Sequence, residues 1–300
     1  MKKVLFLLLT FLVYSSINAQ IMFKTEYFGT SGYRMTEGDT DQKVGDSKGS
    51  AVVYQGGINI PLSMKSDEND RPIIWAVSLG GAYAKLDNRN FTEPFVIDEI
   101  MNIGFSISHL RSLNGKWSIL IAAGAGIYMP NTRFSQINYK NILGNMGVIF
   151  IHHFKSNLEL GGGLAMNNSF GYPMLFPAIY FNWKTEGRYT VKIAMLKGIE
   201  ISAGYNIHKK LSLNFIIEMN GQMALLEQEE KNKIFTHQYI VTGIRPEIKI
   251  GKRLSIPITA GIHAMRPAEM VDRKLKSMFQ DKGYYFQIAP YVSTGLQIGF

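Results

Sequence analysis

From Ile21 onward the chain alternates apolar residues with small or polar ones, which is the period-two pattern of a β-strand. Between Leu211 and Met223 most odd positions are apolar, whereas serine, asparagine, glutamate and glutamine occupy most even positions. Successive side chains of a strand point to opposite faces, so such a segment has one apolar and one polar face. The pattern predicts an all-β chain.

Fourteen segments show this alternation, separated by polar breaks: 21–35, 49–64, 72–86, 97–111, 116–129, 141–154, 157–167, 173–183, 188–195, 198–207, 211–223, 235–250, 254–266 and 283–300. Long breaks at 36–48, 87–96, 130–140 and 224–234 are separated by tight ones such as Asn114-Gly115 and Glu186-Gly187. Long loops at one end and short turns at the other are typical of an outer-membrane barrel. If the tight break at Lys197-Gly198 is only a bulge, the count falls to twelve.

The size of the side chains favours a membrane barrel over a soluble sandwich. One row is small through the middle of the chain: Ala76, Ser78, Gly80 and Ala82; Gly104, Ser106 and Ser108; Ala122, Gly124 and Gly126; Gly161, Gly163 and Ala165. The opposite row is bulky, as expected when bulk faces lipid and small residues surround a lumen. We therefore predict a single closed antiparallel transmembrane β-barrel over residues 20–300, with its first and last strands paired.

Aromatic residues support the same prediction. Trp75, Trp117 and Trp183 belong to the apolar register and lie beside predicted short turns, where an interfacial aromatic girdle is expected; core tryptophans are the alternative. The final segment places Tyr284, Phe286, Ile288, Val292, Leu296, Ile298 and Phe300 in one row. A terminal strand that ends in an aromatic residue such as Phe300 is similar to the signal that barrel-assembly machinery recognises.

The first nineteen residues have the order of a secretory signal peptide. Lys2 and Lys3 precede an apolar run at 4–14, and small residues lead to Ala19. The run is too short to span a bilayer as a helix, which needs about 20 residues. We predict cleavage after Ala19 and export to the outer membrane.

With this signal, the alternation, the strand Leu-Phe-Pro-Ala-Ile-Tyr-Phe-Asn-Trp at 175–183 and the terminal Phe300, the chain resembles uncharacterised outer-membrane β-barrel families of the Bacteroidota. The resemblance covers the whole chain after the signal. It implies location and architecture and transfers no functional residue.

Composition removes several classes of function. The chain has no cysteine, which excludes disulfides, thiolate metal sites and a lipidated cysteine. Its formal charge of +9 is spread along the sequence, so no nucleic-acid partner is predicted. Gly161-Gly162-Gly163 opens no helix and does not indicate a phosphate loop. No cofactor is expected.

No catalytic motif is visible in the sequence. His109, His152 and His153 lie near predicted membrane edges, but no serine or carboxylate spacing marks a triad, and interfacial or turn histidines explain them. His152 and His153 are neighbours on a strand and cannot both face one metal ion. The sequence therefore predicts a barrel that is not an enzyme.

Six charged residues fall on the polar face of late strands and are candidates for lining the lumen: Lys192, Glu200, Glu218, Arg245, Glu247 and Lys249. They could set the selectivity of a pore or only stiffen the wall through ion pairs.

The leading hypothesis is a passive pore for small solutes or a specific ligand. A closed structural or adaptor barrel that binds other envelope components is the alternative, and an outer-membrane lipid-modifying enzyme is the third. Outer-membrane lipid and, during biogenesis, the barrel-assembly machinery are the expected partners.

Residues 267–280, which interrupt the alternation, are predicted as a short helix in the last outer loop.

Overall fold

The computed structural model describes residues 19–68, 71–91, 96–195, 198–251 and 253–299. The predicted signal segment, except Ala19, and Phe300 lie outside these residues. The strands are β1 (Gln20–Glu37), β2 (Thr40–Ser66), β3 (Pro72–Arg89), β4 (Glu99–Ser112), β5 (Trp117–Met129), β6 (Ile142–Lys155), β7 (Leu158–Asn167), β8 (Met174–Thr185), β9 (Tyr189–Met195), β10 (Ile199–His208), β11 (Leu211–Gln228), β12 (Lys231–Ile250), β13 (Leu254–Asp272), β14 (Lys282–Phe286) and β15 (Ala289–Gly299). Among the described residues, three short 3-10 helices accompany them: Phe134–Gln136, Tyr139–Asn141 and Leu275–Phe279.

The strands form one closed antiparallel ring. Each strand from β1 to β13 pairs with the next along the chain, and both β14 and β15 pair with β1 and β13. Because β14 and β15 are two segments of one final strand, the ring has fourteen strands. The predicted barrel and the predicted pairing of the first and last strands are confirmed, and β9 and β10 are separate strands, so the count of twelve is wrong.

Two of the predicted long outer loops are wrong. Residues 36–48 belong to the hairpin of β1 and β2, which turns at Gly38 and Asp39, and residues 224–234 belong to the hairpin of β11 and β12, which turns at Glu229 and Glu230. Both glutamates have positive φ, as a tight hairpin turn requires. These segments are polar because they extend past the apolar part of the wall, yet their backbones stay paired.

The end of the chain also departs from the sequence prediction. β13 continues to Asp272, so only Leu275–Phe279 of the predicted loop at 267–280 forms a short helix. The interruption at Gln287 and Ile288 changes the face of the last strand: Phe286 is buried inside, whereas Val292 is exposed outside. The predicted single row from Tyr284 to the end is therefore wrong.

The outer surface of the ring carries the bulky apolar residues. Leu79 and Phe105 are 52% and 54% exposed, while their inward neighbours Gly80 and Gly104 add no side chain to the lumen. Large exposed apolar side chains recur on nearly every strand, which is unusual for a surface in contact with water. In the described part of the chain, no helix is long and apolar enough to cross a membrane.

A packed apolar core fills one half of the barrel interior toward the end with the long hairpins. Within the described residues, its buried members come from β1–β4 and β11–β15: Phe28, Tyr33, Ala51, Val53, Ala84, Leu86, Ile100, Ile216, Ala224, Phe235, Tyr239, Val241, Ala268, Phe286 and Tyr291. Strands β5–β10 contribute none of them. The interior is therefore divided into a packed part and a remainder.

The outer part of the β11–β12 hairpin, residues 220–237 and here called the crossing hairpin, makes this division. β10 begins at Ile199, opposite Met219, so β11 has no β10 partner beyond that point. The crossing hairpin instead contacts the other side of the ring, where the Asn141 side-chain amide donates to the Leu225 carbonyl at 2.8 Å and Lys140 pairs with Glu227 at 2.7 Å.

Candidate functional site in the barrel lumen

The remainder of the lumen is a cavity of about 890 Å³ that is lined by β8–β13, β15, β1 and one residue of β2. At the short-turn end it is lined by Lys184, Glu186 and Lys249, and toward the other end by Gly198 and Asn220. The cavity therefore follows the whole height of the short strands β9 and β10.

All six charged residues singled out in the sequence line this cavity: Lys192, Glu200, Glu218, Arg245, Glu247 and Lys249. The Lys192 ammonium lies 2.6 Å from a Glu200 carboxylate oxygen across β9 and β10. Arg245 Nη2 lies 2.6 Å from Glu218 Oε1, and the Arg245 Nε donates to the Thr259 hydroxyl at 2.9 Å. Glu247 accepts a long hydrogen bond of 3.5 Å from Ser212.

Sequence reasoning missed Lys184 and Glu186 at the short-turn end of this site, and also Lys24 and Glu26 on β1. Lys24 lies 3.0 Å from Glu218 Oε2 and 2.9 Å from Glu26 Oε1, and it also lines the cavity. Glu218 thus has a cation at each oxygen. The available signal was the alternation in β1, which places Lys24 and Glu26 on the face opposite Phe23 and Tyr27.

Glu26 lies where the cavity meets the packed core and is fully buried. Its carboxylate accepts hydrogen bonds from the hydroxyls of Tyr239 at 2.8 Å and Tyr291 at 2.6 Å, and from the Gln55 side chain. A buried charge requires such partners because leaving it unpaired is strongly unfavourable. Glu26 therefore fixes the two tyrosines that close the cavity against the core.

A second polar cluster lies on the inner wall near the short turns. His153 Nε2 is 2.7 Å from the Ser118 hydroxyl oxygen, and His153 Nδ1 is 2.8 Å from Glu159 Oε1. The Glu159 carboxylate also accepts from the Tyr180 hydroxyl at 2.7 Å and from the Asn182 amide at 3.2 Å. The spacing of residues in the sequence does not mark this cluster, since strand pairing brings together residues that are far apart in sequence.

Of the three histidines considered in the sequence analysis, His109 and His152 face outward beside tryptophans. The His109 ring stacks on Trp75 at 4.2 Å between centroids, and the His152 ring meets Trp117 edge-on at 4.7 Å. Trp75 and Trp117 are 44% and 41% exposed, and Trp183 is partly exposed where it pairs with Leu158. All three tryptophans lie toward the short-turn end, and their role as a girdle remains a prediction.

In the stretches that the structure describes, no group of histidine, aspartate and glutamate residues could hold a metal ion. His152 and His153 face opposite sides of the wall, as a regular strand requires.

Solved structures with a similar arrangement are outer-membrane proteins at very low sequence identity. The COG4313 outer membrane channel from Pseudomonas putida F1 is 7% identical, covers 95% of this chain and 97% of its own, and has a TM-score of 0.44. The TodX monoaromatic hydrocarbon channel deltaS2 mutant is 7% identical over 96% and 92%, with a TM-score of 0.44. The translocator domain of the autotransporter NalP from Neisseria meningitidis is 12% identical over 100% and 94%, with a TM-score of 0.35.

No curated protein matches the sequence. A family profile, however, matches residues 15–299, which is nearly the entire chain. The chain therefore belongs to the family described as a domain of unknown function, DUF6268.

Proposed function

We propose that this protein is an outer-membrane barrel that lets small polar solutes cross passively through the lumen cavity. The observation that carries the proposal is the course of the cavity, which follows the full height of β9 and β10 beside the packed core. A lumen completely filled by side chains would leave no such space.

The charges on the cavity wall suit polar solutes of either sign. Its lining includes the cations Lys24, Lys184, Lys192, Arg245 and Lys249 and the anions Glu186, Glu200, Glu218 and Glu247. Because cations and anions are interleaved and several are paired, the wall offers hydrogen bonds without a strong field of one sign. Size and hydrogen bonding would then govern passage more than net charge.

The apolar outer surface supports the membrane location. The exposed apolar residues would face lipid, and the tryptophans near the short turns would lie at the interface. Under this proposal residues 1–19 are the cleaved export signal, the barrel-assembly machinery inserts the chain, and the organism is a member of the Bacteroidota.

A closed structural or adaptor barrel is the second candidate, and the crossing hairpin favours it. The hairpin lies against β4, β5 and the 3-10 helix Tyr139–Asn141, so the half of the lumen under it is closed. In that case the cavity would be a recess and not a passage.

Single-channel conductance of the refolded chain without residues 1–19, in a planar bilayer, separates the two candidates. We expect steady conductance from the parent. Arg245→Gln removes a cation and should shift the reversal potential toward cation preference, whereas Glu247→Gln should shift it toward anion preference. Lys43→Gln, in the exposed hairpin of β1 and β2, is the matched control and should change nothing. A folded but silent barrel would overturn the channel proposal and leave the closed barrel.

A second variant pair tests whether Lys192 and Glu200 act on the passing ion. Lys192→Glu places two carboxylates side by side on β9 and β10 and should increase cation preference. Adding Glu200→Lys restores one charge of each sign at the same place, so the double variant should return toward the parent's selectivity.

A further inference from the structure

Ser118, His153 and Glu159 lie on three neighbouring strands, β5, β6 and β7, and they point to the same side of the wall. The two distances, 2.7 Å from Ser118 Oγ to His153 Nε2 and 2.8 Å from His153 Nδ1 to Glu159 Oε1, form one continuous chain of hydrogen bonds. We propose that this cluster is a nucleophilic site that hydrolyses small soluble carboxylic esters entering the lumen. This activity goes beyond passive passage.

The order of the hydrogen bonds fixes the role of each group. The carboxylate of Glu159 only accepts, so His153 donates through Nδ1–H and leaves Nε2 free to accept the Ser118 hydroxyl proton. That arrangement activates a serine by placing a base at its hydroxyl and an orienting group behind the base. Ser118 and His153 are the catalytic residues in this assignment, and Glu159 is a positioning residue.

The surrounding wall holds the cluster in one geometry. His153 and Glu159 are directly opposite each other in the β6–β7 pairing, next to the irregularity at the tight turn. Tyr180 and Asn182 of β8 donate to the second oxygen of Glu159, which fixes the carboxylate. Sites supported by rigid strands and by such outer hydrogen bonds keep the precision that catalysis needs.

The direction in which the cluster faces decides the substrate class. The side chains of His153 and Glu159 remain about one quarter exposed, 24% and 25%, and this exposure is toward the lumen, since His152, the neighbour of His153, faces outward beside Trp117. The lining of the cavity does not include Ser118, His153 or Glu159, but Asn182, which donates to Glu159, pairs with the cavity-lining Ala194, so the cluster lies beside the cavity. Ser118 itself is only 5% exposed, so an ester would reach its hydroxyl from the lumen beside the more exposed His153, and an acyl chain in the bilayer would not reach it.

The reaction balances without a metal or a cofactor. Ser118 Oγ attacks the ester carbonyl carbon while its proton passes to His153 Nε2, and the departing alcohol takes that proton as the carbon–oxygen bond breaks. Water then attacks the acyl-serine, gives one proton to His153 Nε2, and releases a carboxylic acid as that proton returns to Ser118. Glu159 stabilises the imidazolium at each stage.

The first test is covalent labelling of the refolded barrel with a fluorophosphonate probe, read by mass spectrometry. We expect one adduct, on Ser118. Ser118→Ala should abolish it, while Ser112→Ala should keep it, because Ser112 is the backbone partner of Ser118 on β4 and has its own hydrogen bond to Asn114. A folded parent barrel that gains no adduct, or an adduct that survives in Ser118→Ala, would overturn the proposal.

Hydrolysis of p-nitrophenyl acetate tests the other two roles. His153→Gln should lower the Ser118-dependent rate at least 100-fold. Glu159→Gln should lower it and move the pH profile, because the imidazolium loses its stabilising carboxylate, and Glu159→Asp should recover part of the rate. A purely structural network would leave no Ser118-dependent rate in the folded parent, which would reject the site. Conductance should be the same in Ser118→Ala and the parent. Failure of the esterase proposal can therefore be distinguished from failure of the channel proposal.

Discussion

Asn102 on β4 is hydrogen-bonded through both ends of its side-chain amide to the backbone of Met223 on β11, the strand opposite it in the ring. The Asn102 amide donates to the Met223 carbonyl at 2.6 Å, and the Met223 N–H donates back to Asn102 Oδ1 at 3.3 Å. Opposite walls of a round barrel of this size would not touch. The small inward residues of β4 and β5 allow β11 to approach the opposite wall. This contact divides the lumen into a packed part and an open part.

Asn102→Ala should loosen this contact. The variant leaves a partly buried backbone N–H and C=O of Met223 without partners, so we expect the free energy of unfolding in urea to fall by about 1–3 kcal/mol. Channel conductance should rise as the crossing hairpin moves away from β4. Ser106→Ala, on the same face of β4, is the control. If stability matched the parent, Asn102 would not be what holds the hairpin.

Glu26 should be one of the most sensitive positions in the barrel. Glu26→Ala removes the acceptor of Tyr239 and Tyr291 and opens a void between cavity and core, so the unfolding free energy should fall by about 3–5 kcal/mol. Glu26→Gln keeps the volume and one acceptor and should lose less. Denaturant titration with tryptophan fluorescence measures both. Equal losses would show that the charge, not the volume, dominates.

The hairpin of β1 and β2 beyond the apolar belt should depend on pH. A hydrogen bond from Arg34 holds the pKa of Asp41 below its ordinary value. A lowered carboxyl pKa in the folded state stabilises the hairpin above the ordinary value of about 3.9, and this contribution is lost as the pH falls through the folded pKa. Hydrogen exchange of residues 34–43 should therefore be faster in Asp41→Asn than in the parent at pH 7. At pH 2 the difference should shrink, and a constant difference would contradict the assignment.

Trp75 and Trp117 should report the interface with lipid. In barrels that retain Trp75 or Trp117 as the single tryptophan of the three, lipids brominated near the headgroup should quench the fluorescence more strongly than lipids brominated deep in the chain. Leu79→Trp, in a variant without other tryptophans, provides a comparison four residues, or two outward positions, farther along β3. Its preference should move toward the deep quencher. The same quenching profile at both depths would argue against a girdle at the short turns.

The sequence predicted the ring because alternation is local and each strand pairs with its neighbour. It also placed Lys192, Glu200 and Arg245 on the inner face, since alternate residues of a strand point to the same face. The long hairpins were missed for the same reason: past the lipid boundary both faces are polar, and a paired strand then resembles a loop.

Contacts between strands that are not neighbours could not be predicted in this way. Nothing local in the sequence connects Asn102 with Met223, because β11 reaches β4 only after β10 leaves its edge free. Ser118, His153 and Glu159 meet because the registers of the β5–β6 and β6–β7 pairs align them, and a one-residue slip in either pair would turn a side chain to the other face. The cluster could have been found only by working out which face each residue takes on three consecutive strands and how those strands pair. A motif search examines neither.

The packed core comes from strands near both ends of the chain, and this limits the order in which the chain can fold. The packed core joins residues before Met101 to residues after Phe215, and the seam between β1 and β15 lies within it. Loop closure over such a separation is slow, because the intervening chain loses entropy before the stabilising contacts form. Strands β5–β10 can assemble as successive hairpins while both ends of the chain are still apart. The core is then the last part to form, so the chain must stay protected from aggregation until the whole barrel is present.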